Sequence, residues 1–402
     1  MYLLDSGLRR NDGILLKYVD EFRDGALAKN IAANIAREAD PQRRYHLMEF
    51  CGGHTHAISR YGIADLLPVN VRMIHGPGCP VCVLPAGRVE NAIRLAQTSG
   101  LILCCYGDTL RVPAANGMSL LKAKARGADV RMVYSSTDAL KIAQENPQRQ
   151  VVFFAIGFET TTPPTAVAIR QAQALGLKNF SVFCNHVLTP SAISHILQSP
   201  EIRQLGVLTL DGFIGPAHVS TVIGSRPYEY FADEFQKPVV IAGFEPLDVM
   251  QAILMLVRQL NQGRAEVENE FSRAVTRDGN VKAQLLVAEV FELRRVFEWR
   301  GLGAVPYSAL RIKAQYADFD AELRFEIPAI SIADNKACEC GAILRGVKQP
   351  QDCKLFGTVC TPDNPMGSCM VSSEGACAAY YSYGRFRAPS FPFPCARDMQ
   401  SP

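Results

Sequence analysis

From Tyr45 onward, short apolar runs alternate with longer stretches in which apolar residues recur every three or four positions. The short runs predict strands over Tyr45–Phe50, Val69–His75, Gly100–Tyr106, Val130–Tyr134, Val151–Ile156, Ser181–Asn185, Gly206–Leu210 and Val239–Ala242. The stretches between them predict helices, as at Val89–Ala96 and Thr165–Leu175. Strand, helix, strand in repetition implies parallel sheets joined by helical crossovers. Eight strands over this length predict two α/β domains, with a boundary near residue 145 in the polar stretch Gln144–Arg149. Beyond Pro246 the pattern changes to long helices, Asp248–Asn261 and Lys282–Arg295, and from Arg324 the chain becomes loop-rich and dense in cysteine. The expected organisation is therefore a disordered extension over 1–16, an N-terminal helix within 17–44 packing on the third unit, and α/β domains over 45–145 and 146–246. A mainly helical, loop-rich domain over 247–402 completes it.

Ligands of parallel sheets gather at the carboxyl ends of strands. The polar motifs fall there: CGGHTH (51–56), HGPGCPVCV (75–83), GFETTTPP (157–164), CNHVLTP (184–190), DGFIGPAHV (211–219) and GFEPLD (243–248). Composition narrows what they do. A chain of 402 residues with 42 basic and 39 acidic side chains offers no basic stripe, so nucleic-acid binding is not indicated. The apolar runs are far shorter than the roughly 20 residues that span a bilayer, and Asp5, Arg9, Arg10 and Asp12 interrupt any signal-peptide core. No membrane segment is predicted, and the cytosol is the expected compartment.

That expectation makes the 13 cysteines informative, because cytosolic thiols stay reduced. Seven of them (Cys338, Cys340, Cys353, Cys360, Cys369, Cys377 and Cys395) lie in the last 65 residues, a clustering that reads as metal chemistry. Loop-borne thiolates hold either tetrahedral zinc or an iron–sulfur cluster. The absence of tight C-x2-C pairs in this segment favours the cluster, although spacing alone does not choose four ligands out of seven. Cys79 and Cys82 do form a C-x2-C pair, restrained by Pro80, which fits a thiol redox couple better than half a zinc site. Cys104, Cys105 and Cys184 sit in apolar runs and read as small buried hydrophobes.

Cys51 with His54 and His56 is too small a ligand set for a closed structural metal site, and Gly52–Gly53 reads as a tight turn after the strand. In GFETTTPP, Thr160 and Thr161 either start a helix, with prolines in its first turn, or form a catalytic hydroxyl loop.

The motifs CGGHTH, GPGCPVC, GFETTTP, GFEPLD and CTPDNPMGSCMVSSEGACAAYY (360–381) occur in that order. From about Lys17 to Phe386 the chain resembles the HypD family of hydrogenase maturation factors. The resemblance implies two α/β domains and a third domain whose 4Fe-4S cluster is held by Cys340, Cys353, Cys360 and Cys377. Cys338, Cys369 and Cys395 are then left as non-ligands. It also implies that Cys51 is an iron-binding thiol and that Cys79 and Cys82 are the redox pair; within CGGHTH, the residues themselves make His54 the candidate nearby ligand or proton donor and leave His56 to support the turn. Its partners are a small chaperone, HypC, and a cyanide donor, HypE. Together they build the Fe(CN)2CO centre of nickel–iron hydrogenase, which makes the chain an assembly scaffold with redox chemistry rather than a simple turnover enzyme. The alternative is a thiol–disulfide oxidoreductase with a structural cluster.

Overall fold

Among the described residues of the computed structural model, 20–203 and 209–386, nine strands build two parallel sheets. In chain order they are β1 (Tyr45–Glu49), β2 (Val71–His75), β3 (Leu101–Cys105), β4 (Val130–Met132), β5 (Gln150–Gly157), β6 (Phe180–His186), β7 (Gly212–Pro216), β8 (Val239–Ala242) and β9 (Val267–Asn269). The first sheet has the order β2-β1-β7-β8-β9 and the second β4-β3-β5-β6. Every neighbouring pair in both is parallel. β3 and β8 are buried along their whole length, which is why they read as unbroken apolar runs.

The expected boundary near residue 145 does not separate these sheets. β3 and β4, before it, pair with β5 and β6, after it, while the first sheet joins β1 and β2 to β7, β8 and β9. The second sheet is an insertion between β2 and β7. The polar stretch at 144–149 is the surface turn from helix Ser136–Glu145 into β5, so its polarity reports exposure and not a domain junction. Periodicity defines strands but carries no information on which of them pair.

The strand expected at Gly206–Leu210 lies instead at Gly212–Pro216, and residues 204–208 are outside the described part. Two glycines and a proline disguise it as a turn. They serve close packing: a Cβ on Gly215 would stand 3.1 Å from Ile241, and one on Gly212 would stand 3.2 Å from Leu256 and Pro238.

Helix Gly25–Glu38 is capped by Asp24, which accepts the amides of Ala26 and Leu27 at 2.7 and 3.1 Å. It packs on helix Pro246–Asn261, and Glu38 takes Arg258 in a two-oxygen clasp. That second helix in turn covers β7 and β8, so it belongs to the first sheet rather than to a separate third domain. The helix expected over Lys282–Arg295 ends at Val290. Two small antiparallel pairs follow, Phe291–Leu293 with Leu310–Ile312 and Val296–Trp299 with Gly303–Pro306. One apolar core joins Phe50 and Phe213 of the first sheet, Phe154 and Phe183 of the second, Trp299, and the C-terminal cysteines. No helix among the described residues is long and apolar enough to cross a membrane. The extension over 1–16 and Cys395 lie outside the described residues.

Candidate functional site

In a parallel sheet the crevice for a ligand opens where the strand order reverses, beyond the carboxyl ends. The first sheet reverses between β1 and β7 and the second between β3 and β5. CGGHTH leaves β1 at the first of these points, and GFETTTP leaves β5 at the second.

Cys51 is the N-cap of helix Gly52–Tyr61. Gly52 and Gly53 are therefore the first two residues of a helix and not the expected turn. Their missing side chains serve close approach: a Cβ on Gly52 would lie 2.3 Å from the Glu374 side chain, and one on Gly53 would lie 2.6 Å from the Phe244 ring. Because β1 and β2 are neighbours, the GPGCPVC loop meets CGGHTH directly. The Gly52 amide donates to the Gly78 carbonyl at 3.0 Å and the Gly76 amide to the Glu49 carbonyl at 2.9 Å. A Cβ on Gly78 would stand 2.3 Å from the Cys51 nitrogen, so only glycine fits there.

Cys51 is buried. Burial pushes its thiol well above the usual range, the Glu374 and Glu49 carboxylates push the same way, and the facing amides of Gly53 and His54 act against them. His54 is wholly buried, with its ring tilted against that of Phe244. Its Nε2 lies 3.0 and 2.9 Å from the carbonyls of Ala242 and Gly243, which places the proton on Nε2. Nδ1 is left without a hydrogen-bond partner. The Nε2 proton is thus committed to the backbone, and Nδ1 is the atom with a lone pair to offer. His56 points to the C-terminal region instead of supporting a turn, with Nδ1 3.4 Å from the Ser373 carbonyl and its ring edge-on to Tyr383.

Cys79 and Cys82 are joined as a disulfide, with 3% and 0% of their surface exposed. The C-terminal region lies over it. Ser368 Oγ donates to the Cys82 carbonyl at 2.6 Å, and a Cβ on Gly375 would stand 3.0 Å from Cys82 Sγ.

Behind that contact the remaining thiols gather. Cys340, Cys353, Cys360, Cys369 and Cys377 are buried, and Cys338 is partly so. The sulfurs of Cys338 and Cys340 lie together against Gly367, Cys369 and Cys377 are the thiols next to Cys340, and the Cys340 contact draws the Cys338 thiol down to about 7. Burial raises Cys360, and the nearby sulfurs of Cys338 and Cys353 add to this. Among the described residues, no group of three or more His, Cys, Asp or Glu side chains is spaced to hold a single metal ion. As a donor set the thiols suit an iron–sulfur cluster: they are soft ligands from separate parts of one loop-rich segment, set in an apolar core. Gly367 leaves them room, since a Cβ there would stand 2.4 and 2.5 Å from the sulfurs of Cys338 and Cys340. Cys338 and Cys369 thus stand in the same group as Cys340 and Cys377.

In the second sheet, Thr161 and Thr162 donate to the Phe158 carbonyl at 3.0 and 3.3 Å, at the start of helix Thr162–Ala174 with its two early prolines. Thr161 thus shapes its own loop, and Thr160 beside it is partly buried. Glu159 is buried and its carboxyl is pushed up to about 7 by burial, while it accepts the amide and hydroxyl of Thr189. Cys104, Cys105 and Cys184 lie within the core.

Sequence reasoning missed Glu49, His75 and Glu374. Glu49 carried the one available signal, a carboxylate ending an otherwise apolar strand directly before CGGHTH. Glu374 reaches Cys51 from more than 300 positions away, and nothing local announces that.

These features define a parallel-sheet α/β protein that gathers thiols from distant parts of its chain beside one sheet edge. Residues 26–384 match the family model HypD, described as the hydrogenase formation hypA family, and the chain belongs to that family. It is 73% identical over 372 residues to the hydrogenase maturation factor HypD of Cupriavidus necator, covering 92% of this chain and 98% of that protein. Identity to the HypD of Rhodobacter capsulatus is 51% over 382 residues, covering 93% of this chain and all of the relative. Identity to the HypD of Escherichia coli (strain K12) is 45% over 373 residues, with coverage of 92% and 98%.

Proposed function

We propose that this chain is the cytoplasmic scaffold on which the Fe(CN)2CO centre of nickel–iron hydrogenase is assembled, with Cys51 as the iron-binding thiol. The observation that carries the reading is the place of Cys51, at the switch point of the first sheet and backed by the GPGCPVC loop, in a chain of this family. Iron is cargo here, and cargo calls for an incomplete shell. Cys51 and His54 Nδ1 offer at most two ligands, leaving positions for a cysteine from a HypC-type chaperone and for cyanide delivered by a HypE-type donor. Cyanide and carbon monoxide favour an electron-rich, low-spin ferrous ion, and thiolate supplies that electron density. The carboxylates of Glu49 and Glu374 put negative charge beside the sulfur, where it favours a cation.

Cys340, Cys353, Cys360 and Cys377 would hold a 4Fe-4S cluster, which when bound supplies single electrons. Cys79 and Cys82 carry two electrons and two protons per cycle between disulfide and dithiol. Ser368 fixes Cys82 beside the cysteine-rich segment. The oxidoreductase alternative needs a sulfur that a protein substrate reaches, and the burial of both Cys79 and Cys82 argues for an internal role instead.

The test is infrared spectroscopy on protein purified without oxygen together with its small chaperone. Wild type is expected to show cyanide and carbonyl stretches. Cys51→Ala is expected to keep the iron–sulfur absorbance and lose those bands, and bands of wild-type intensity in that variant would place the iron elsewhere.

A further inference from the structure

Glu49 is wholly buried at the end of β1, beside Leu47 and Met48, which are equally buried. A buried carboxylate is costly unless its oxygens meet donors. Here Oε2 accepts the Cys51 amide at 2.9 Å, while Oε1 accepts the Thr55 hydroxyl and faces His75 Nδ1 at 2.8 Å. The backbone carbonyl of the same residue takes the Gly76 amide. Two of these partners belong to the CGGHTH segment and two to the start of HGPGCPVC. From this we propose that Glu49 is a positioning residue, a clamp that locks the iron-thiol loop and the dithiol loop against each other.

The chemistry explains why a carboxylate stands there. Cys51 is an N-cap whose own side chain makes no cap bond, and Glu49, two residues upstream, accepts the amide of Cys51 itself where the helix starts. An anion at a helix N-terminus is favourable in its own right. Only a carboxylate accepts at both oxygens. A glutamine would turn an N–H toward the Cys51 amide on one side, or toward Thr55 and His75 on the other. Since both oxygens are taken by protein donors, Glu49 acts through Cys51 rather than as a ligand. The clamp itself is independent of the assembly reading, whereas its link to iron rests on that reading.

The test is amide hydrogen exchange on the full-length, metal-free protein, read by mass spectrometry over 50–56 and 75–83. Glu49→Gln is expected to raise exchange in both segments by at least about tenfold, the consequence of losing a hydrogen bond to a charged group. Thr55→Val should loosen only the first and His75→Gln only the second. Unchanged protection in Glu49→Gln, or loosening confined to 50–56, overturns the clamp. Should Glu49→Gln fail to fold, the double variant Thr55→Val/His75→Gln carries the test: a loosened 75–83 is expected, and an unchanged one overturns it. In chaperone-copurified protein, Glu49→Gln is further expected to lose the cyanide and carbonyl bands with its iron–sulfur absorbance intact. Full bands in that variant would break the link to iron, whereas their absence from wild type would instead count against the assembly reading.

Discussion

The sulfurs beside the first sheet and those near the C-terminus are held by opposite means. Cys51, Cys79 and Cys82 stand at the ends of two paired strands, with the loops fastened by backbone hydrogen bonds, a disulfide and a buried carboxylate. The C-terminal thiols sit on short elements, Cys340–Leu344, Ser368–Met370 and Ala376–Tyr383, and on the loops before and between them, where they lie beside one another. A site that takes up and releases a metal needs a frame that stands without it. A site that keeps its metal can be framed by the metal itself.

The largest expected effect tests that contrast. Cys353→Ala, Cys360→Ala or Cys377→Ala should each abolish most of the iron–sulfur absorbance and iron content, and should open residues 324–386 to protease. The loops after β1 and β2 should keep their hydrogen-exchange protection in the same variants. Equal loosening of both regions would break the comparison. Cys340→Ala should behave like these three and Cys338→Ala should keep its cluster. The reverse result would move the first ligand to Cys338, whose sulfur lies against the same glycine.

How much of this was legible in the sequence follows the same divide. The strand-borne site was readable because a strand announces itself by its apolar run and a ligand loop follows it, so Cys51 and the C-x2-C pair were placed at sheet ends in advance. What escaped was pairing. Nothing in the runs shows that β1 lies between β2 and β7, and the glycines of β7 hid it as a turn. Glu49 escaped because its role depends on His75, 26 positions away, becoming a cross-strand neighbour. The loop-borne site gave away only its composition. Spacing identified a cysteine-rich segment, but the chain's path brings Cys338 and Cys369 in with the others, and no periodic pattern encodes that path.

An intermediate effect is expected from the disulfide. Cys79→Ser removes a cross-link that closes a very short loop, so chain entropy limits the loss to about 2 kcal/mol. Denaturant unfolding should register that decrease without loss of iron–sulfur absorbance. Thiol trapping of the wild type after mild oxidation should find two fewer free thiols than after reduction. Stoichiometric zinc at this pair, or loss of the cluster in Cys79→Ser, would count against treating the sheet-edge sulfurs as a separately framed site.

The smallest change sharpens the contrast with one methyl group placed in each region. At Gly53 an added methyl meets the Phe244 ring at 2.6 Å, and that ring is itself in tilted contact with the rings of both His54 and His218. Relief requires the ring to shift within a frame already fixed by strands, so the cost is one of overpacking, about 1–3 kcal/mol. Gly53→Ala should therefore lower stability in denaturant unfolding with iron–sulfur absorbance unchanged. At Gly367 the backbone is extended, with φ −136°, and any residue adopts it, so conformational strain is not the issue. There the methyl meets two sulfurs, of Cys338 and Cys340, at 2.4 and 2.5 Å. Cys338 lies in a loop and Cys340 opens the short helix Cys340–Leu344, so neither sulfur is fixed by a strand and both should yield, displacing a proposed cluster ligand. Gly367→Ala is expected to lower iron per chain more than it lowers stability, the inverse of Gly53→Ala. Full iron content in Gly367→Ala together with a loss of stability like that of Gly53→Ala would show both groups of sulfurs to be framed by the protein alone.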